Sequence, residues 1–181
     1  MQNGITPVIY YCNPNIYPQE EYEIRKNECT RYAESLGLEI VDADYDHENW
    51  LEAIKGLEDE PERGGRCLRC FKLRLLRTAE YARQRGIRAI TTTLASSRWK
   101  SLDQINEAGL WACQTVNDNE SDSVIWWDQN WRKGGLQERR LQIINEYSFY
   151  NQRYCGCEFS MRGEDFTTAL SLTDAGTDSR I

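Results

Sequence analysis

The stretch Gly64-Gly65-Arg66-Cys67-Leu68-Arg69-Cys70-Phe71-Lys72-Leu73-Arg74-Leu75 enters a helix through two glycines, and Ile87-Arg88-Ala89-Ile90-Thr91-Thr92 follows it after a stop at Gly86. Phe71, Leu75, Ala79 and Ala82 recur at helical spacing and mark one inner face. The run after Gly86 is short and rich in β-branched residues, as in a buried strand. A helix that leads through glycine into a strand is the repeating unit of an α/β domain, and the rest of the chain repeats it.

Working outward, Pro7 to Cys12 reads as a strand that Asn13-Pro14-Asn15 stops with turn chemistry. Pro18, acidic Glu20 and Glu21, and Gly37 bracket a helix from Gln19 to Leu36. Leu38 to Val41 is a second strand, and a helix carrying Trp50, Leu51, Ile54 and Leu57 follows, with His47 as its start residue. Glu58 to Arg63 reads as an exposed charged loop. Ser101 or Asp103 starts a helix through Ile105, Ala108, Trp111 and Ala112, and Val124 to Trp127 is a fourth strand with Trp126 and Trp127 in the core. Gly134-Gly135 precedes a last helix carrying Leu136, Leu141, Ile144 and Tyr147. The expectation is one α/β domain over residues 1–161 on a mainly parallel sheet, with a polar tail over 162–181. Sites in such sheets form beyond the strands' carboxyl ends, here Cys12 to Ile16, Thr91 to Lys100 and Asn130 to Gly135.

A chain of 181 residues with 28% charged side chains and a mean hydropathy of -0.73 has an ordinary polar surface. No apolar run reaches the roughly 20 residues of a membrane span, so a cytoplasmic protein is expected, with no membrane partner. A net charge of -7 disfavours coating of nucleic acid and leaves room for a local basic patch. That patch lies between Trp131 and Arg140, where four basic residues stand against one acidic one. With Arg98-Trp99-Lys100 it supplies residues to stack and neutralise a flipped nucleotide. Arg98, Lys100, Arg132 and Lys133 are the candidate RNA-phosphate contacts.

Seven cysteines at irregular spacings argue for metal or redox chemistry over a disulfide framework. His47 is the one histidine, which leaves almost no material for a mixed Cys/His zinc site. Cys29 and Cys113 fall in apolar stripes and read as core thiols. Cys67-x-x-Cys70 and Cys155-Gly156-Cys157 remain. The second pair can ligate a metal or close a tight disulfide whose central glycine tolerates the backbone, with Arg153 nearby to favour the thiolate. Spacing leaves three readings open. All four cysteines converge on a structural zinc, or Cys67 and Cys70 hold part of an iron-sulfur cluster while Cys155 and Cys157 are a redox pair, or Cys67 and Cys70 form a thioredoxin-type motif.

Asn13-Pro14-Asn15-Ile16 with Glu21-Tyr22 and Arg25 forms the first of four ordered motifs, and Gly65-Arg66-Cys67-x-x-Cys70-Phe71-x-Leu73-Arg74-Leu75 the second. Thr91-Thr92-Thr93-Leu94 with Ser96 and Lys100, then Tyr150-x-Gln152-x-Tyr154-Cys155-Gly156-Cys157-x-Phe159-Ser160, complete the set. Together they resemble the QueH-type epoxyqueuosine reductases. The resemblance implies a three-layer, Rossmann-like fold of the nucleotide-alpha-hydrolase kind and an oxidoreductase that removes the epoxide oxygen of epoxyqueuosine at the wobble position of tRNA. It implies a four-iron four-sulfur (4Fe-4S) cluster with Cys67 and Cys70 as two of its ligands, Cys155 and Cys157 as the redox-active disulfide, and an external electron donor. A zinc-stabilised RNA-binding module using the two cysteine pairs is the alternative.

The family pattern also has an apolar strand ending in Cys-Cys-x-Pro-Cys, and a helix, before the Asn-Pro-Asn-Ile strand. Its adjacent cysteines supply the other two cluster ligands. Here the chain starts almost at the second strand and Cys12 stands alone, so a truncated or internally started, inactive form lacking the first strand and helix is expected. Ser97-Arg98 replaces the serine and proline usual in the family.

Overall fold

The computed structural model describes residues 4–117 and 123–161. In it the alternation becomes β1 (Ile9–Tyr11), α1 (Gln19–Ser35), β2 (Ile40–Asp42), α2 (His47–Ala53), α3 (Gly65–Gln84), β3 (Ala89–Ile90), α4 (Leu102–Val116), β4 (Ile125–Trp126) and α5 (Leu136–Glu146), with 3-10 turns at Thr93–Ser96 and Glu158–Ser160. β1 pairs with β2 and β3 with β4, both parallel, giving two two-stranded sheets, in keeping with an α/β chain of the Rossmann-like kind. The tail expected over 162–181 lies outside the described residues.

Helix boundaries follow local chemistry. Gly37 and Gly86 stop α1 and α3 in the left-handed region at φ 64 and 66, and the Ser101 hydroxyl accepts from the Gln104 N–H at 3.3 Å to cap α4. The second expected helix is shorter than read. It ends at Ala53, because Gly56 at φ 81 turns the chain before Leu57. No described helix is long and apolar enough to cross a membrane.

Among the described residues the packing divides into two compact units, one of residues 4–51 and 149–161, the other of 52–117 and 123–148. In the first, Tyr11, Ile16 and Tyr22 form a small core against which Cys29, Ile40 and Tyr45 pack. Tyr22 stacks edge-on to Tyr11 at 5.3 Å and donates to the Asp42 carboxylate. Burial, then that carboxylate, push its phenol far above the ordinary value. Burial alone raises the Cys29 thiol, as expected of a core cysteine.

In the second unit, Phe71, Leu75, Ala79 and Ala82 of α3 meet Ile105, Ala108, Ala112 and Val116 of α4 over Ile90 and Val124. Replacing Leu75 by alanine would cost roughly 2–5 kcal/mol. Cys113 is buried there and its thiol is pushed up to about 11. Gly109 lets the Trp126 indole lie on α4, where a Cβ would stand 2.2 Å from the ring. Trp127, expected in the core, is 41% exposed. Successive strand residues face opposite sides, so only one of this Trp pair can turn toward α4.

Candidate active site

The Cys155-Gly156-Cys157 turn is held by the segment from Asn15 to Arg25. Gly156 sits at φ 105, and a Cβ there would lie 2.9 Å from Ile16 Cγ1 and 3.0 Å from Arg25 Nη1. Its carbonyl accepts from the Tyr17 N–H at 2.9 Å. Arg25 donates from Nη1 to the Cys155 carbonyl at 3.3 Å and from Nη2 to the Tyr154 carbonyl at 3.2 Å. Its Nε is fixed by buried Glu21 at 2.7 Å, and the other Glu21 oxygen accepts from the Tyr150 hydroxyl at 2.8 Å. Glu21 therefore serves a network more than the helix dipole. Cys157 is buried, Cys155 half-buried, and both are thiols.

His47 is the first residue of α2, as expected, but its ring has a wider role. Nδ1 donates to the Pro14 carbonyl at 2.7 Å, and Nε2 faces the Glu158 carboxylate at 3.2 Å, an ion pair when the ring is protonated. Stacking on Tyr17, Tyr45 and Trp50 holds the ring in place. This joins the Asn13-Pro14-Asn15 turn to the residue after Cys157.

Cys67 and Cys70 lie in the opening turns of α3, where the two glycines place them. The Cys67 sulfur accepts the Arg63 N–H at 3.3 Å. Arg63 adopts φ 68, outside the usual range for a side-chain-bearing residue. Its guanidinium donates to the carbonyls of Trp99 and Arg98, each at 2.9 Å. Gln104 Nε2 returns to the carbonyls of Arg63 and Gly64 at 2.8 and 3.2 Å, and Glu60 takes the Gly65 N–H at 3.1 Å. The stretch read as an exposed charged loop is thus a tether between Cys67 and residues 98–99.

Within this same unit the structure brings Arg98, Lys100, Arg132 and Lys133 onto adjoining loops. Arg132 donates from Nε to the Ala95 carbonyl at 3.1 Å and from Nη2 to those of Ser97 and Lys100, the last at 2.9 Å. Gln137 takes the Ser96 carbonyl at 2.8 Å, and the Trp131 indole takes that of Thr92 at 2.9 Å. Arg98 and Lys133 are exposed. The Lys100 ammonium lies 5.9 Å from the Phe71 ring centroid.

Cys67 and Cys70 suit two ligand positions of a metal cluster, being thiolate donors three residues apart on one helix. Among the described residues no group of three or more His, Cys, Asp or Glu side chains is placed to hold a metal. The donor set fits half of a four-thiolate site and not the whole.

The family model described as Epoxyqueuosine reductase QueH matches residues 1–163. The chain belongs to the QueH family. A protein named Epoxyqueuosine reductase QueH from Histophilus somni is 48% identical over 160 residues, 88% of this chain and 64% of that protein. Its namesake from Haemophilus influenzae is 46% identical over 90% of this chain and 64% of its own length. That from Acinetobacter baylyi is 44% identical over 90% of this chain and 72% of its own. The chain therefore spans 64% of the length of the first two relatives, less than two thirds. The motifs from Asn13, Gly65, Thr91 and Tyr150 all fall within the matched QueH region.

Reasoning from sequence missed Arg63, Gln104 and Gln137 in one unit and the role of Arg25, Glu21 and His47 in the other. Arg63 carries a weak signal, an arginine directly before the double glycine. Gln104 and Gln137 carry none.

Proposed function

We propose that this chain acts in the reduction of epoxyqueuosine to queuosine in tRNA, in the cytoplasm, as a QueH-type oxidoreductase. The observation that carries the reading is the family match over residues 1–163, which includes both cysteine pairs. The tethered loops support it, since Arg63 joins Cys67 to the Arg98-Trp99-Lys100 segment within one unit.

Converting the epoxide to the alkene takes two electrons and two protons and releases the oxygen as water. A Cys155/Cys157 dithiol holds that complement. Forming its disulfide releases two electrons and two protons, and an external donor returns them. Arg25 and Tyr17 fix the backbone of the turn so that closing the ring costs less chain entropy. Arg98, Lys100, Arg132 and Lys133 supply positive charge for the anticodon phosphates. Cys67 and Cys70 would be two ligands of a 4Fe-4S cluster, which when bound supplies single electrons. The described residues complete only half of that ligand set.

Anaerobic purification followed by iron, sulfide and zinc analysis tests the cofactor. Sulfide with iron supports a cluster, and stoichiometric zinc without sulfide would replace the reductase with the zinc-stabilised RNA-binding module. Incubation with epoxyqueuosine-containing tRNA and a reductant, read by nucleoside mass spectrometry, tests the reaction through loss of one oxygen atom.

A further inference from the structure

We propose that Trp99 is the stacking platform for an unpaired base of the RNA, an assignment that rests on the tRNA reading above. The sequence offers Trp99 and Trp131 equally, and the structure separates them. Trp131 is half-buried, its indole N–H is committed to the Thr92 carbonyl at 2.9 Å, and its ring meets Trp127 edge-on at 5.8 Å. Trp99 is 66% exposed, more than any other large apolar side chain described.

The exposure is not slack in the chain. Arg63 takes the carbonyls of Arg98 and Trp99, and Arg132 takes those of Ala95, Ser97 and Lys100. Two guanidinium groups thus pin the loop on both sides of the indole. The Arg98 guanidinium lies 4.9 Å from the Trp99 ring centroid. An exposed aromatic ring on a pinned backbone, a planar cation against it, and Lys100 next in sequence form the combination that binds a base by its π-face and its phosphate by charge. An apolar protein partner would be met by a wider apolar surface with fewer cations around it. The occupant is therefore a nucleotide of single-stranded RNA, such as one in an anticodon loop.

The test is anisotropy of a labelled anticodon stem-loop RNA against the full chain, titrated over a range of salt. Trp99→Ala should weaken binding roughly tenfold to a hundredfold, the size of one base stack. The slope of log affinity against log salt should stay as in the unaltered chain, and Trp99→Phe should recover most of the loss. Arg98→Gln should lower the slope. Abasic substitutions walked through the RNA loop on the unaltered protein should find one position as costly as Trp99→Ala, and there the Trp99 variant should lose nothing further. Binding by the unaltered chain with Trp99→Ala indifferent, and no costly abasic position, would overturn this proposal while leaving the tRNA reading intact. No binding by the unaltered chain would overturn both.

Discussion

Arg25 Nη1 donates to the carbonyl oxygen of Cys155 across 3.3 Å, linking α1 to a turn 130 residues later in the chain. The same guanidinium is held by buried Glu21, so the donor arrives at the Cys-Gly-Cys backbone already oriented.

Arg25→Ala should therefore loosen the turn and leave Glu21 a buried carboxylate without its cation. Breaking a buried pair in this way costs roughly 3–5 kcal/mol, while Arg25→Lys should retain part of the ion pair and lose the twin carbonyl bonds. Titration of the Cys155/Cys157 pair in dithiothreitol redox buffers, with folding followed by circular dichroism, checks both. If Arg25→Lys folds and shows the potential of the unaltered chain, the carbonyl bonds do not set the thiol geometry.

Gly156→Ala combines a left-handed backbone at φ 105 with a Cβ 2.9 Å from Ile16 Cγ1. Strain of this kind costs on the order of 1–3 kcal/mol. Denaturant unfolding should show the midpoint falling with the slope unchanged. An alanine variant as stable as the unaltered chain would mean that the turn relaxes to another conformation.

Asp42 gives a pH dependence whose sign is determined. Burial opposes its ionisation, yet hydrogen bonds from Tyr22 and Lys26 outweigh burial and hold its carboxyl below the ordinary range. A lowered folded value means stability fully present above the unfolded value of ~3.9 and lost as pH falls through the folded one. Lys26 is raised by Glu23 and then Asp42, so its contribution is complete below its unfolded value and lost as pH rises through the folded one. Thermal melts of Asp42→Asn should show a shallower acid limb than the unaltered chain. Parallel acid limbs would refute the assignment.

Arg63 separates backbone strain from side-chain tethering. Arg63→Gly removes the bonds to the Arg98 and Trp99 carbonyls and suits φ 68, whereas Arg63→Ala removes the same bonds and keeps the strain. The glycine variant should be the more stable by about 1 kcal/mol. Both should be cut faster by trypsin after Arg98 and Lys100 in limited proteolysis. Unchanged cleavage would show that Arg132 alone holds the loop.

Much of the fold was legible because the deciding interactions are local. The stops at Gly37 and Gly86, the Ser101 cap and the α3 stripe from Phe71 to Ala82 act over one to four residues, and each leaves its mark in adjacent letters. The two cysteine pairs were legible for the same reason, and the order of motifs was enough to recognise the family. Strand length was read less well. Pro7 has no N–H to give and Asn13-Pro14 turns the chain, which leaves three residues in the β1 ladder.

What holds the sites was not legible. Arg25 to Cys155, Arg63 to Trp99 and Arg132 to Ala95 all end on backbone carbonyls, and every residue carries one. A guanidinium that chooses its partner by position alone writes no complementary letter at the far end. Sequence by itself determined the α/β class, the limits of α1, α3 and α4, and the cysteines. The tertiary structure decided that Trp99 stands out while Trp131 is spent, that Trp127 is exposed, and which arginines fix the loops, because those outcomes depend on where a carbonyl lies in space.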